Sequence, residues 1–385
     1  MPVSSNKRLS FVNFPIPFDH PYTIPTLIAT VGASAFLYYS LQASHKADLK
    51  EAIRQQVVHK RKHLKRKQEK FASLKIEHQY VNPFTEWKQP NISFVDSILY
   101  WLGINNNNQI PKIEQDLIDT LPMTKPDFNH NNTSLTWLGQ STCLITIDGL
   151  KILTDPVFEH TKRLRPPPCS LQDIGNIDIV LVSHQHFDHL DEKAVEHIGD
   201  SATWYIPLGL RDWFIKKGID NVIELDWWQE MHHKGHADIV IASVPSMHTS
   251  PKEESLWCSF VIKSQSDRIF FCSVQLYSGD TGYVPELFQS IRDIYSPFTM
   301  AALPIGTFEP QAMLKSLHMT PKEAIQAHVD LGSPRISIGI HWGTFMKSNE
   351  PYLSPIQQLF DLYGKVEGND ASRFITTSFG KTIFA

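Results

Sequence analysis

The chain has 385 residues, of which 42% are hydrophobic and 20% are charged. This composition excludes a wholly disordered chain, and the length allows one large domain with accessory segments. The four cysteines are far apart and form no CxxC pair, which excludes a zinc ribbon and a dense disulfide scaffold and favours a reducing compartment. They are Cys143, Cys169, Cys258 and Cys272.

The formal net charge of −4 conceals two oppositely charged regions. His45 to Lys75 contains eleven Lys or Arg against three acidic residues, a balance of +8, so the rest of the chain sums to −12. Because nucleic acids are polyanions, this acidic remainder argues against a nucleic-acid-binding surface on the main domain. The basic segment alone could attract phosphates of any kind.

The N-terminal region predicts a membrane anchor. After a tail over residues 1–20, Pro21 to Ser44 contains no charged residue, and about 24 residues can span a hydrocarbon layer with some tilt. A cleavable targeting segment and a buried helix are the alternatives. We expect a transmembrane helix at 21–44 and a basic juxtamembrane helix at 45–76, which would lie against anionic lipid headgroups or, alternatively, be solvated.

The remainder of the chain predicts a wrap or linker followed by an α/β domain. Residues 77–131 are rich in Pro and Asn, whereas 132–385 alternate strand-like runs with helical stretches. Helices are expected from Asp191 to Ile198 and from Pro321 to Leu331. The second has Thr320 as N-cap, Glu323 to complete a capping box, and Gly332 as its stop.

One short stretch, VSHQHFDHLD, follows an apolar run of strand length. His184 and His186 are two residues apart and would point the same way in an extended chain, while the following turn moves Asp188 and His189 toward a second point. Imidazole and carboxylate ligands suit zinc, and residue type leaves iron or manganese open.

Further ligands must come from other strand ends, since one loop cannot complete two metal sites. His248, Asp280 and His341 each follow an apolar run. A single histidine after a strand is more often a satisfied surface or core residue, but the ordered set is a strong signal. The histidines of MHHKGH (His232, His233 and His236) are expected on a solvated loop instead.

This order of ligands resembles the metallo-β-lactamase superfamily. Within it, TWLGQST, LTDPVF, HQHFDHLD, YSGDTGY, LPIGTFEP, HMTPKEA and IHWGTF are similar to the N-acyl-phosphatidylethanolamine-hydrolysing phospholipase D family, from about Asn82 to the C-terminus. The resemblance implies an αβ/βα sandwich of two sheets with a binuclear site at one edge, holding two Zn²⁺ per chain.

Carried over motif by motif, the resemblance implies roles for individual residues. His184, His186 and His248 would hold one metal, Asp188, His189 and His341 the other, and Asp280 would bridge them. Asp155 would fix a ligand histidine by a hydrogen bond. Asp188, Asp280 and His318 would be catalytic, with Asp188 or Asp280 orienting the nucleophile or accepting its proton and His318 contacting phosphate or protonating the leaving group. Alternatively, His318 only flanks a helix.

The implied reaction is hydrolysis of N-acyl-phosphatidylethanolamine to N-acylethanolamine and phosphatidic acid by a hydroxide held between the metals. Partners would be a phospholipid substrate and a membrane but no nucleic acid, and a homodimer is left open. The positive-inside rule places the catalytic domain on the cytosolic or mitochondrial matrix side of an endomembrane or the mitochondrial inner membrane. Another hydrolase of this superfamily, a lactonase or phosphodiesterase, and a non-catalytic membrane scaffold are the alternatives.

Overall fold

A computed structural model describes residues 21–88, 115–250, 253–272, 281–364 and 372–385 of the chain. The chain divides into two compact units between Gln56 and Val57. The helices are α1 (Thr23–Arg61), α2 (Lys67–Lys70), α3 (Gln115–Asp119), α4 (Leu171–Ile174), α5 (Glu192–Ile198), α6 (Arg211–Lys216), α7 (Pro285–Tyr295), α8 (Gln311–Leu314), α9 (Pro321–Asp330) and α10 (Ser354–Tyr363).

The strands of the described residues are β1 (Lys75–Ile76), β2 (Gln79–Tyr80), β3 (Ser134–Gly139), β4 (Thr142–Ile147), β5 (Leu150–Thr154), β6 (Ile179–Leu181), β7 (Thr203–Pro207), β8 (Val222–Leu225), β9 (Glu230–His233), β10 (His236–Val244), β11 (Ser259–Lys263), β12 (Arg268–Phe271), β13 (Met300–Pro304), β14 (Ile336–Ile340), β15 (Arg373–Ile375) and β16 (Thr382–Phe384). Two sheets, each with seven strands in the described residues, form the body of the second unit. Their orders are β16-β3-β4-β5-β6-β7-β8 and β15-β14-β13-β12-β11-β10-β9.

Helix α1 is a single 39-residue helix that includes both the apolar and the first part of the basic segment. An 18-residue window in it has a mean hydropathy of 1.4 and no buried residue, so by length and composition the helix could cross a membrane.

The structure differs from the expected basic helix over 45–76, because α1 ends at Arg61. Closely spaced cations on both sides of that residue repel one another on a helical surface, which disfavours continuation of the helix. The chain turns back instead, and the Arg61 guanidinium donates to the Ala72 carbonyl at 2.6 Å. In the short helix α2 beyond the turn, Lys67 and Lys70 pair with Glu286.

The described part of the expected wrap contains β2 and α3, and the segment after β2 is irregular but well anchored. Residues 81–88 contain no helix or strand, yet Phe84 is fully buried between Phe71 and Trp227, with ring centroids 5.7 and 6.0 Å away. A side chain of this size in the core contributes on the order of 2 kcal/mol through burial. This segment is therefore part of the packed domain.

Alternation of side chains along the strands produces a four-layer sandwich. In β4, Ile145 and Ile147 belong to the core shared by both sheets, whereas Leu144 belongs to a second core with residues of α4, α5 and α6, such as Val195. On the other sheet, α7 and α9 supply side chains such as Phe288 to the large core. The predicted αβ/βα sandwich is confirmed.

The expected start of α9 is present in full. Thr320 accepts from the Glu323 backbone, and the Glu323 carboxylate accepts from the Thr320 backbone, with Pro321 in the first turn. The helix ends at Asp330, one residue before the predicted end, and Gly332 follows with a φ of +88°. The predicted helix at 191–198 is α5, with Asp191 as its N-cap.

Candidate metal centre

The loop after β6 contains four side chains that could bind a metal. The chain stays extended through His184 and then turns, with the backbone N–H groups of His189 and Leu190 donating to the His186 carbonyl. Asp191 then caps α5 and ends the loop. His184, Asp188 and His189 are fully buried, and His186 is 7% exposed.

The first ligand group consists of His184, His186 and His248. Their candidate ligand atoms all lie within 4.8 Å of one another. His248 reaches the group from the segment after β10, and its ring centroid is 5.3 Å from that of His184. Neither ring nitrogen of His186 or of His248 has a hydrogen-bond partner among the described residues, which is costly for buried imidazoles. A bound cation would satisfy one nitrogen of each ring, so the group fits a metal.

Burial lowers the pKa of all three histidines well below the usual value, and each is further lowered by a neighbouring imidazole. They are therefore neutral near pH 7, the form that coordinates a metal. The group carries no charge of its own.

The second ligand group consists of Asp188, His189 and His341, again with candidate ligand atoms within 4.8 Å of one another. His341 follows β14 directly and has a φ of +62°, in the left-handed region that histidine adopts uncommonly. Its backbone N–H donates to the Gln140 carbonyl at 2.9 Å, which holds the turn that aims the ring inward. All three side chains are fully buried.

Charge distinguishes this second group. Burial raises the pKa of Asp188, but the Lys347 ammonium and His189 outweigh it and hold the pKa well below its usual value. Burial likewise lowers the pKa of His189, but the carboxylates of Asp188 and Asp155 raise it to about 10. Without a metal, His189 is thus a cation between two carboxylates.

Asp155 lies where the resemblance implied. Its Oδ2 is 2.8 Å from Nδ1 of His189, and it also accepts from the backbone and hydroxyl of Ser183, both at 2.7 Å. The Ser183 hydroxyl lies 2.9 Å from Nδ1 of His184. Asp155 therefore orients His189 directly and His184 through Ser183, one histidine from each group.

The sequence did not single out Gln140, Lys347 or Asn82. Gln140 donates to Asp188 Oδ2 at 2.8 Å, and the Lys347 ammonium forms an ion pair with the same carboxylate. Asn82 donates to the carbonyl of His248 at 2.5 Å and accepts from its backbone N–H at 3.1 Å. Gln140 lies in the motif TWLGQST, and Asn82 lies in VNPF, where the family resemblance begins, so these motifs could have indicated both residues. Lys347 follows the motif IHWGTF and has no such signal.

The other predicted residues have different outcomes. His318 is 1% exposed, and its ring centroid is 6.3 Å from that of His341, beside the second group. Asp280 lies outside the described residues, as do residues 273–279 before it. His232, His233 and His236 are not on a solvated loop, because they form the ends of the β9–β10 hairpin and His233 is buried.

Comparison with known proteins places this site in context. Residues 151–342 match the beta-lactamase superfamily domain. A Caenorhabditis elegans protein named N-acyl-phosphatidylethanolamine-hydrolyzing phospholipase D 1 is 34% identical over 334 residues, which cover 78% of this chain and 91% of the relative. A Saccharomyces cerevisiae protein named as the mitochondrial enzyme of that type is 31% identical over 344 residues, covering 75% of this chain and 72% of the relative.

A solved structure supports the fold. The metallo hydrolase Igni18 from Ignicoccus hospitalis superimposes with a TM-score of 0.51 and 20% identity, covering 66% of this chain and 97% of the archaeal chain. At that identity the likeness concerns the arrangement of sheets and helices alone.

Proposed function

Because the chain belongs to the N-acyl-phosphatidylethanolamine-hydrolysing phospholipase D family, we propose that it hydrolyses N-acyl-phosphatidylethanolamine to N-acylethanolamine and phosphatidic acid with two zinc ions. The chain is a metal-dependent hydrolase of the metallo-β-lactamase fold. The phospholipid substrate is proposed from the names of the relatives and from the two ligand groups.

The observation that carries the proposal is the pair of buried ligand groups, each with three ligand atoms within 4.8 Å. His184, His186 and His248 would hold one ion and Asp188, His189 and His341 the other, with Asp280 proposed as the bridge. Nitrogen and oxygen donors in this ratio favour zinc over magnesium or calcium, which prefer oxygen alone. When bound, two such cations lower the pKa of a water molecule and stabilise the attacking and leaving oxygens of a phosphodiester.

The chain's own groups divide the remaining tasks. Asp188 Oδ1 has no hydrogen-bond partner among the described residues, whereas Oδ2 accepts from Gln140. One oxygen is thus held by the protein and the other is available to orient the attacking water or accept its proton.

His318 is better suited to binding phosphate than to protonating the leaving group. Burial lowers the pKa of His318 well below its usual value, and the neighbouring His341 ring lowers it further. A neutral imidazole can donate an N–H hydrogen bond to a phosphate oxygen but is a weak proton donor. We therefore infer a phosphate contact.

Membrane attachment fits a lipid substrate. Helix α1 is long and apolar enough to span a bilayer, and the basic residues that follow would lie beside anionic headgroups. The positive-inside rule then favours a cytosolic or matrix-facing catalytic domain. The yeast relative is named as mitochondrial, so the mitochondrial inner membrane or an endomembrane is the proposed location. Resistance of the membrane-bound chain to carbonate extraction tests the anchor.

Product analysis tests the reaction. The purified, zinc-loaded chain is given N-acyl-phosphatidylethanolamine in mixed micelles, and the products are identified by mass spectrometry. We expect N-acylethanolamine and phosphatidic acid from the wild type and neither from Asp280→Asn. Retention of two metals without these products would reject the substrate, and hydrolysis of lactones or other phosphodiesters would then identify a different member of the superfamily.

A further inference from the structure

Lys347 is an unusual component of the candidate metal centre. It follows β14 by seven residues, and its side chain is only 11% exposed. Its ammonium pairs with Asp188, a fully buried residue of the second ligand group. Lysine is among the residue types least often buried, and a buried ammonium requires a charged partner. In the ligand-free site, Asp188 is one such partner.

The ammonium also lies at the mouth of the site. It is 4.2 Å from the ring centroid of Phe187 and 5.3 Å from that of Phe345. Phe187 is 41% exposed, although it stands between the ligands His186 and Asp188. The positive charge therefore lies between a buried carboxylate and two aromatic rings, of which Phe187 is exposed and Phe345 is buried. The ring faces can stabilise the ammonium after it leaves the carboxylate.

A metal and the Lys347 ammonium would compete for Asp188. The ring nitrogens Nε2 of His189 and His341 lie 3.4 and 3.9 Å from Oδ2 of Asp188, the same carboxylate oxygen with which the Lys347 ammonium pairs. A metal ion bound among these three atoms would meet the ammonium at that oxygen, and two cations so close repel each other strongly at low dielectric. The flexible four-carbon stem of lysine lets its ammonium move a few ångströms without any backbone change.

We propose that Lys347 is a substrate-binding residue, displaced from Asp188 when the second metal binds and then donating to a non-bridging oxygen of the substrate phosphate. This inference deepens the proposed function and rests on it for the phosphodiester substrate. An anionic phosphate would give the displaced ammonium a charged partner.

Binding of inorganic phosphate to the metal-loaded protein tests this contact without requiring turnover. We compare the wild type, Lys347→Met and Lys347→Arg by isothermal titration calorimetry. Loss of a charge-assisted hydrogen bond predicts roughly 10- to 100-fold weaker phosphate binding by Lys347→Met, and Lys347→Arg should retain most of the affinity. Phosphate affinity of Lys347→Met within about twofold of the wild type would overturn the proposal.

Lys162→Met is the matched control. Lys162 is exposed and its ammonium lies 5.1 Å from the same Phe187 ring, but no ion pair joins it to Asp188. Its removal deletes a cation from the rim, and we expect no change in phosphate or metal affinity. An equal loss of phosphate affinity in Lys162→Met would reduce the effect to general surface charge and reject a specific contact.

Metal binding separates this role from a structural one. Since the competing cation is absent, apo Lys347→Met should take up the second zinc at least as tightly as the wild type, measured by competition with a chromogenic chelator. Failure to load two metals would show that Lys347 supports the ligand group, and would overturn the proposal.

Lipid hydrolysis by the wild type and Lys347→Met is the last test. We expect Lys347→Met to raise KM for the phospholipid by about tenfold, with a smaller change in kcat. If the wild type binds phosphate through Lys347 but leaves N-acyl-phosphatidylethanolamine intact, the proposed substrate fails and the phosphate contact stands. If wild type and Lys347→Met hydrolyse the lipid equally well, the proposed substrate stands and the Lys347 contact with its phosphate is rejected.

Discussion

The two ligand groups lie side by side, but the protein prepares them differently. The first contains three neutral histidines, and the ring nitrogens of His186 and His248 have no hydrogen-bond partner among the described residues. In the second, Asp188 is paired with Lys347 and accepts from Gln140, and Asp155 fixes His189. One group is neutral and open, whereas the other is charged and occupied by the chain's own cations.

This difference determines what each group gains from a metal. A cation at the first group satisfies one orphaned nitrogen each of His186 and His248 and meets no cation of the protein among the described residues. A cation at the second group must displace the Lys347 ammonium and a proton from His189. The first group should therefore bind metal by simple addition and the second by exchange of positive charge.

The variant with the largest expected effect removes the carboxylate charge of the second ligand group. Asp188→Asn should abolish binding of the second metal, because an amide is a poor zinc ligand and cannot neutralise the cation. Metal stabilisation of a transition state is worth several kcal/mol, so we expect turnover to fall roughly 1,000-fold or more. Metal content by mass spectrometry should fall from two ions per chain to one, and two retained ions with near-normal turnover would contradict the exchange model.

Asp191→Asn is the control for that change. Asp191 is three residues away and caps α5, but it belongs to neither ligand group. Asparagine caps helices about as well as aspartate. This variant should therefore keep both metals and normal turnover.

A second test weakens the support of the second group without removing a ligand. Asp155→Asn loses the charge that stabilises protonated and metal-bound His189, and such changes typically cost 10- to 100-fold in metal affinity. The first group should lose less, since Asp155 reaches His184 only through Ser183. Stepwise zinc titration with a competing chelator measures both affinities.

The matched control for Asp155→Asn is Asp178→Asn. The Asp178 carboxylate accepts the backbone N–H of Lys151 in β5, the strand beside β6. It should leave both zinc affinities unchanged. Equal losses at both metal groups in Asp155→Asn would show that the two groups share one support.

A third test measures the protons that are released when zinc binds. The pKa of His189 is raised to about 10, so this ring is protonated below that pH and must release its proton to bind zinc. Affinity of the second group should then rise about tenfold per pH unit between pH 6.5 and 9 and level off above pH 10. The first-group pKa values are lowered well below 6.5, so its affinity should be flat in that window.

Calorimetric zinc titration in buffers of different ionisation enthalpy measures the protons directly. About one more proton should appear with the second ion than with the first. Equal proton release in both steps would contradict the charge difference between the groups.

Local sequence was enough to predict candidate ligands at the ends of strands. Strand β6 and the loop from His184 to His189 are adjacent in the chain, so their order and spacing predict a ligand-bearing loop at a strand end. His248 and His341 have the same signal after β10 and β14. Their division into two groups came from family resemblance, because only the folded chain sets which strand ends meet.

The residues that sequence reasoning missed depend on contacts over long sequence separations. Gln140 and Lys347 meet at Asp188 from opposite ends of the domain, and neither type suggests a metal site by itself. The end of α1 was missed for a similar reason. The sequence predicted a basic helix to residue 76, but repulsion among cations and a tertiary contact of Arg61 end it earlier.

The smallest expected effect concerns Asn82, which supports the backbone of His248 in the first ligand group. Asn82 is 2% exposed, and its side chain pairs with both backbone polar groups of His248. Asn82→Ala leaves these groups unsatisfied, which should cost about 1–3 kcal/mol of unfolding free energy and weaken the first zinc by about tenfold or less. Asn221→Ala removes a side-chain hydrogen bond to the Ala202 carbonyl, just before β7 and outside both ligand groups. Because Asn221 is exposed, this control should lose less stability, and its zinc affinity should not change. Stepwise zinc titration with urea unfolding separates the two outcomes. An unchanged first-zinc affinity in Asn82→Ala would mean that the three imidazoles hold their geometry without this support, and the first group would then be as preorganised as the second.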